Sequence, residues 1–239
     1  MKQVAIITGA SRGIGKACAV GFAGMGYQTV LIARDKKKLQ AVANEITEKY
    51  GSGNTPPPIL YAFDVTDSGK VGKTVKEVAR KFGRIDVLVN NAGIYYDGTS
   101  GLSVEGMKEL LDTNLTAAFG FIKNVVPIMK NQTKGHIFNI ASRSGKIGFP
   151  DSGGYSASKF GLVGLSHALT KELGEFGISV TAICPGWVDT DMADQAGAPF
   201  TASEMIQPQD IFRTMEWLLH LSPAVRVKEV VLETVKSIY

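Results

Sequence analysis

Tyr155 and Lys159 stand four residues apart, and Ser142 lies thirteen residues before Tyr155. Four residues is about one helical turn, so the phenol and the ammonium project from one face. A phenol with a reference pKa near 10 is a poor proton carrier at neutral pH, and a neighbouring ammonium is expected to bring it down toward the working range. Ser142 comes directly after the apolar run Ile137–Ala141. A hydroxyl at the carboxyl end of a strand can hydrogen-bond a substrate oxygen and steady the charge that develops on it. Together the three groups suit proton transfer to or from a carbonyl or alcohol oxygen. A tyrosine and a lysine at this spacing also arise by chance in many helices, so the weight rests on the set.

A second constellation opens the chain. Thr8-Gly-Ala-Ser-Arg-Gly-Ile-Gly15 follows the first apolar run and places glycine at Gly9, Gly13 and Gly15, with Ser11, Arg12 and Ile14 between them. Such a turn lets the backbone approach a pyrophosphate, while the following helix aims unpaired N–H groups and its dipole at the anion. The spacing is a variant of the dinucleotide fingerprint. It is not a P-loop, because Ala17 stands where a Ser or Thr would hold magnesium. Alone, a glycine-rich strand-to-helix turn can serve close packing and nothing else.

The end of the second apolar run should choose the cofactor. An NAD site places an acid there for the ribose hydroxyls, and Asp35 does lie twenty positions after Gly15. The alternative puts Asp35 past the strand as a helix cap and leaves Arg34 facing the ribose, with Arg12 able to join it. A guanidinium there holds a 2′-phosphate by paired charge-assisted hydrogen bonds. The second reading favours NADP(H) over NAD(H). Against it stands a plainer one, in which Arg34 is a solvated surface arginine.

These residues need elements to position them. Short apolar runs, rich in Val and Ile, span 4–8, 29–33, 59–64, 86–90, 136–141, 179–183 and 228–232. Helix-like stretches lie between them, at roughly 13–25, 36–50, 67–82, 104–130, 154–176 and 208–220. Asp35, Asp67 and Ser103 are candidate N-caps. Alternation of this kind predicts an α/β fold, a doubly wound seven-stranded parallel sheet with helices on both faces. No linker divides residues 1–239, so one nucleotide-binding domain is expected, with a substrate lid at about 189–208 where periodicity is weak.

Composition excludes other classes. A net charge of +4 is mild, and the only tight basic cluster is Lys36–Lys38, so nucleic acid is not an expected partner. Cys18 and Cys184 read as buried hydrophobes in a reducing compartment, and the three histidines share no metal-ligand spacing. No apolar run reaches membrane-spanning length and no signal peptide is evident, so a soluble, cytoplasmic protein is expected.

Taken together, Thr8-Gly-x3-Gly-x-Gly15, Asp64-Val65, Asn90-Asn-Ala-Gly93, Asn114, Ser142, Tyr155-x3-Lys159 and Pro185-Gly186 resemble the short-chain dehydrogenase/reductase family, in order and at its spacing from residue 8 to about 190. The resemblance implies a single-domain Rossmann oxidoreductase of the 3-oxoacyl-ACP reductase-like type, assembled as a homodimer or homotetramer. It implies Tyr155 as the acid/base, Ser142 as the carbonyl-orienting donor and Lys159 as holder of the nicotinamide ribose. Asn114 would anchor a water in a proton relay. Asp64 and Val65 would meet the adenine, and Asn90, Ala92 and Gly93 the ribose side. Val188 and Thr190, after Pro185 and Gly186, would meet the carboxamide. Tyr95, Tyr96, Phe149, Trp187, Met192 and Phe200 are expected around an apolar carbonyl substrate. One departure stands out. Relatives usually close on a glycine-rich turn after the last strand, and here nothing after Gly197 is glycine.

Overall fold

A computed structural model describes residues 2–51, 53 and 55–237. Seven parallel strands form one sheet: β1 (Val4–Thr8), β2 (Gln28–Ala33), β3 (Ile59–Ala62), β4 (Val87–Asn90), β5 (Gly135–Ile140), β6 (Ile178–Pro185) and β7 (Glu229–Leu232). Their spatial order is β3-β2-β1-β4-β5-β6-β7. The order reverses between β1 and β4, which opens a crevice at the carboxyl ends of the strands.

Alternation along β1 divides the core. Ala5 and Ile7 pack on one face with α1 (Gly13–Gly24), α2 (Lys36–Tyr50) and α8 (Pro208–Leu219). Val4 and Ile6 pack on the other with α3 (Ser68–Phe82), α5 (Ala117–Gln132) and α6 (Gly153–Leu173). Because both faces are covered, the strands carry apolar residues almost throughout. Phe22 and Phe121 are among the largest fully buried side chains, one on each side. Truncating either to alanine is expected to cost about 3–5 kcal/mol. Far from the crevice, Asp86 accepts from the Val4 amide at 2.8 Å and from both ends of the Arg84 fork at 2.9 and 2.5 Å, which locks the amino ends of β1 and β4.

Asp35, Asp67 and Ser103 each accept a hydrogen bond from an amide in the first turn of α2, α3 and α4 (Val104–Leu111). The stretch expected as one helix over 104–130 is helical without a gap but changes its winding on the way. It runs as α4, then a π-turn at Asp112–Thr116, then α5. A π-turn inserts an extra residue and re-aims the side chains on it, and such turns are frequent at functional sites. Here the residue re-aimed is Asn114. The 189–208 interval is also less irregular than its composition suggests. It holds α7 (Asp191–Gln195) and a 3₁₀ turn at Ala202–Glu204, and a bridge from Val188 to Ile206 closes its base. Among the described residues, no helix is long and apolar enough to cross a membrane.

Candidate active site

The crevice is a cavity of about 760 Å³. Most of the residues predicted for the site line it: Gly9, Ser11, Arg12, Gly13 and Ile14 from the first turn, Arg34 after β2, and Asp64 and Val65 after β3. Ala92 and Gly93 join after β4, Ser142 after β5, Tyr155 and Lys159 from α6, Pro185 at the end of β6, and Gly186, Val188 and Thr190 after it. Gly15, Asn90 and Asn114 do not line it.

Those three lie behind the wall. A Cβ on Gly15 would run into the Gly9 carbonyl, so this glycine lets α1 close against its own turn. Asn90 is 4% exposed, and its amide donates to Asn139 Oδ1 at 2.9 Å, inside the sheet. Asn91, which sequence reasoning passed over, takes the cavity position instead. Its side chain donates to the Thr8 and Gly9 carbonyls at 2.9 and 3.2 Å, and Thr8 Oγ1 accepts from the Asn91 and Ala92 amides at 2.9 and 3.0 Å. The end of β4 is thereby pinned to the glycine turn. Successive strand residues point to opposite faces, a signal in the sequence that separates Asn91 from Asn90.

Asn114 was expected to anchor a relay water. In the structure its side chain is committed to protein: Oδ1 accepts from the Ile94 amide at 2.8 Å, and Nδ2 donates to Ile94 O and Ser158 Oγ, both at 3.0 Å. Both amide hydrogens are used, so the side chain ties the β4–α4 loop to α6. Gly93 leaves room for this, since a Cβ there would stand 3.2 Å from Asn114 Oδ1 and 3.7 Å from Lys159 Nζ.

At the reacting end, Lys159 Nζ donates to the Ile140 carbonyl at 2.9 Å and lies 5.5 Å from the centre of the Tyr155 ring. Burial lowers the Lys159 ammonium to about 8. Burial also pushes the Tyr155 phenol up to about 12, while a hydrogen bond with Ser142 pulls it down and the neighbouring Tyr95 pushes it further up. This reverses the expectation that the ammonium would hold the phenol low. Desolvation disfavours the charged form of both groups. The shift favours the neutral phenol, the form that can donate a proton. Ser142 Oγ accepts from the Ser144 amide at 3.0 Å, which fixes the serine at the start of a 3₁₀ turn, Arg143–Gly145.

The other end is open and charged. Gly9 and Gly13 adopt positive φ of 64° and 49°, and a Cβ on Gly13 would meet Thr190 Cγ2 at 2.9 Å. Arg12 occupies the N-cap of α1 without a side-chain capping bond, and the first turn carries no acid. Uncapped amides and a cradle only glycine fits are what a diphosphate needs. Arg12 pairs with Asp191 of α7 at 2.5 Å, and Arg34 lies 3.8 Å from Asp64. Asp35 accepts from the Lys38 amide at 3.0 Å, so it caps α2. Asp64 is held below the usual carboxylate range, first by the Thr66 amide and also by Arg34.

Of the six expected aromatic and apolar residues, Tyr95, Phe149, Trp187 and Met192 line the cavity, while Tyr96 and Phe200 do not. The Tyr96 hydroxyl donates to Glu109 at 2.7 Å, away on the surface of α4. Tyr95 packs edge-on to Tyr155 at 5.2 Å and donates to Asp97 at 2.6 Å. Arg143 and Asp151 also line the cavity, and Asp151 adopts the left-handed backbone at φ 53°. No motif in the sequence points to either.

Residues 3–199 match the model of the short chain dehydrogenase family. This chain belongs to that family. It is similar to the 3-oxoacyl-[acyl-carrier-protein] reductase of Synechocystis, 36% identical over 223 residues, covering 90% of this chain and 88% of the relative. Its fold matches the crystal structure of a β-ketoacyl-[ACP] reductase from Bacteroides thetaiotaomicron with a TM-score of 0.88 and 44% identity, over 100% of this chain and 99% of that one. A metagenomic short-chain oxidoreductase in complex with NADP matches with a TM-score of 0.83 and 32% identity, over 98% and 97%. The family makes the chain an oxidoreductase of carbonyl and hydroxyl groups, on the seven-stranded Rossmann sheet described above.

Proposed function

We propose that this chain reduces the ketone of a 3-oxoacyl thioester with NADP(H). The observation that carries the reading is one cavity with a half-buried phenol beside a serine hydroxyl at one end and an uncapped helix N-terminus with two guanidinium groups at the other. The similar reductases of 3-oxoacyl-[acyl-carrier-protein] and the similar structure in complex with NADP support it.

When bound, the reduced nicotinamide supplies a hydride to the carbonyl carbon. Ser142 orients the carbonyl oxygen, and Tyr155 donates the proton that oxygen requires. Lys159, fixed by the Ile140 carbonyl, would hold the nicotinamide ribose and keep positive charge beside the phenol as it ionises. The glycine turn and α1 hold the diphosphate. Arg12 and Arg34 would hold the 2′-phosphate, Asp64 and Val65 would border the adenine, and Ala92 and Gly93 would line the cofactor's ribose side. Pro185, Gly186, Val188 and Thr190 would meet the nicotinamide end of the cofactor. Tyr95, Phe149, Trp187 and Met192 keep water from the acyl chain, and residues 189–208 act as the lid.

A panel of 3-oxoacyl thioesters and simple ketones, assayed with NADPH and with NADH, tests this. NADPH oxidation with the thioesters is expected; no turnover with any carbonyl, or a preference for NADH, overturns it. We also infer a dimer. Phe119 of α5 and Phe160 of α6 are 47% and 45% exposed, a cost that an isologous contact would remove. A monomeric mass by light scattering at micromolar concentration would refute the dimer.

A further inference from the structure

The segment that departs from the family pattern is the one after β7, and it sits directly behind the cavity wall. Gly186, which lines the cavity, donates its amide to the Leu232 carbonyl at 2.7 Å. From there the chain turns at Thr234, 3% exposed, into a 3₁₀ turn, Val235–Ser237. The Ser237 amide and hydroxyl both bond the Thr234 carbonyl at 3.0 Å, so the turn is locally tied.

Two contacts leave this segment for the site. The first is Arg143, the residue after Ser142. Its side chain is only 16% exposed, donates to the Ser237 carbonyl at 3.1 Å and pairs with Glu233 at 3.6 Å. Its guanidinium also lies over the Phe149 ring at 4.8 Å. One arginine therefore fastens both the serine turn and an apolar wall residue to the segment behind them. The second contact is an ion pair from Lys236 to Glu204, in the 3₁₀ turn of the 189–208 interval. Lys146 adds a brace from the same loop to β7, donating to both Glu229 oxygens at 3.0 and 2.8 Å.

We propose that residues 233–237 are a positioning strap: through Arg143 they set the placement of Ser142 and Phe149, and through Lys236 they hold the lid. The physical reason is burial. A charge as enclosed as Arg143 does not lose its partner without moving, because the site offers it little water. A displacement of about 1 Å at a reacting group can cost up to about 100-fold in rate. Glu233 and Lys236 do not line the cavity, so they are positioning residues and not catalytic ones. The Lys236 pair is more exposed and should act on substrate retention more than on the chemical step.

The inference rests on reduction through Ser142 and Tyr155, and the experiment separates the two. Glu233→Ala, Glu233→Gln and Lys236→Gln are compared with Tyr155→Phe for kcat, KM of a 3-oxoacyl thioester, NADPH Kd by fluorescence titration, and Tm. Glu233→Ala is expected to lower kcat about tenfold. Glu233→Gln keeps an oxygen for the guanidinium and should recover most of that loss. Lys236→Gln is expected to raise KM about threefold with kcat nearly unchanged. NADPH Kd should stay within about twofold for all three, since the diphosphate end is remote from the strap. Wild-type kcat and KM in Glu233→Ala and Lys236→Gln overturn the strap, as does a Glu233→Gln no better than Glu233→Ala, or NADPH binding that weakens in step with Tm. Should Glu233→Ala fail to fold, the exposed Lys236→Gln still decides. An active Tyr155→Phe would instead remove the reduction reading, whatever the strap variants do.

Discussion

The two ends of the cavity are built on opposite principles. At the reacting end Lys159 is 4% exposed, bound to a backbone carbonyl, and no carboxylate pairs with it among the described residues. At the phosphate end Arg12 and Arg34 are 55% and 74% exposed, and each already pairs with an aspartate. Burial at the first end moves pKa values and makes position decisive. At the second, solvent screens each charge, and recognition becomes an exchange of one anion for another. Chemistry is thus held rigid while cofactor choice is left adjustable.

The largest effect should come from the buried end. Tyr155→Phe removes the proton and is expected to lower kcat by about 10²–10⁴-fold while NADPH Kd barely changes. A Phe variant with more than about half of wild-type activity would break the contrast outright. Lys159→Met should harm both rate and cofactor affinity, because its ammonium has two tasks. It also carries a pH signature. The Lys159 pKa is lowered from 10.5 to about 8, so the folded chain binds fewer protons than the unfolded one between those values, and its contribution to stability rises with pH across that window. Activity moves the other way, falling above about pH 8 as the ammonium is lost. A kcat profile with the same alkaline limb in Lys159→Met would show that another group titrates.

The exposed end should respond more gently and more selectively. Arg34→Ala is expected to weaken NADPH binding about 5- to 10-fold and to leave NADH binding alone, since the phosphate contact is screened. If Asp35 rather than Arg34 met the ribose, wild type would favour NADH. Asp191→Asn should do the reverse on a smaller scale. Freed from its partner, Arg12 becomes available, and NADPH affinity should rise about two- to threefold with NADH unchanged. Equal shifts for both cofactors would show that Asp191 acts through the lid, not through Arg12.

Much of this site was legible beforehand. Strand-and-helix alternation, the glycine turn and the Tyr155–Lys159 spacing are local patterns, and local periodicity survives folding unchanged. Asp35 illustrates the same point, because a helix cap is decided by its next three residues. What failed were statements about direction over short distances. Asn90 and Asn91 exchanged places because one residue of register turns a side chain through the sheet. Tyr96 and Phe200 were grouped with the pocket on composition alone, and composition carries no direction.

The sequence by itself determined the fold, its order of elements, and which residue types meet at the carboxyl ends of the strands, since these follow from periodicity and from the handedness of crossovers. Three features were decided only by the tertiary structure. The Tyr155 phenol is pushed up, not down, because desolvation is a property of everything packed around it. Asn114 is spent on Ile94 and Ser158 because a π-turn, unmarked by periodicity, re-aims it. Arg143 meets Glu233 and Ser237 across ninety or more positions of chain, and only the packing of β6 against β7 brings contacts of that separation together.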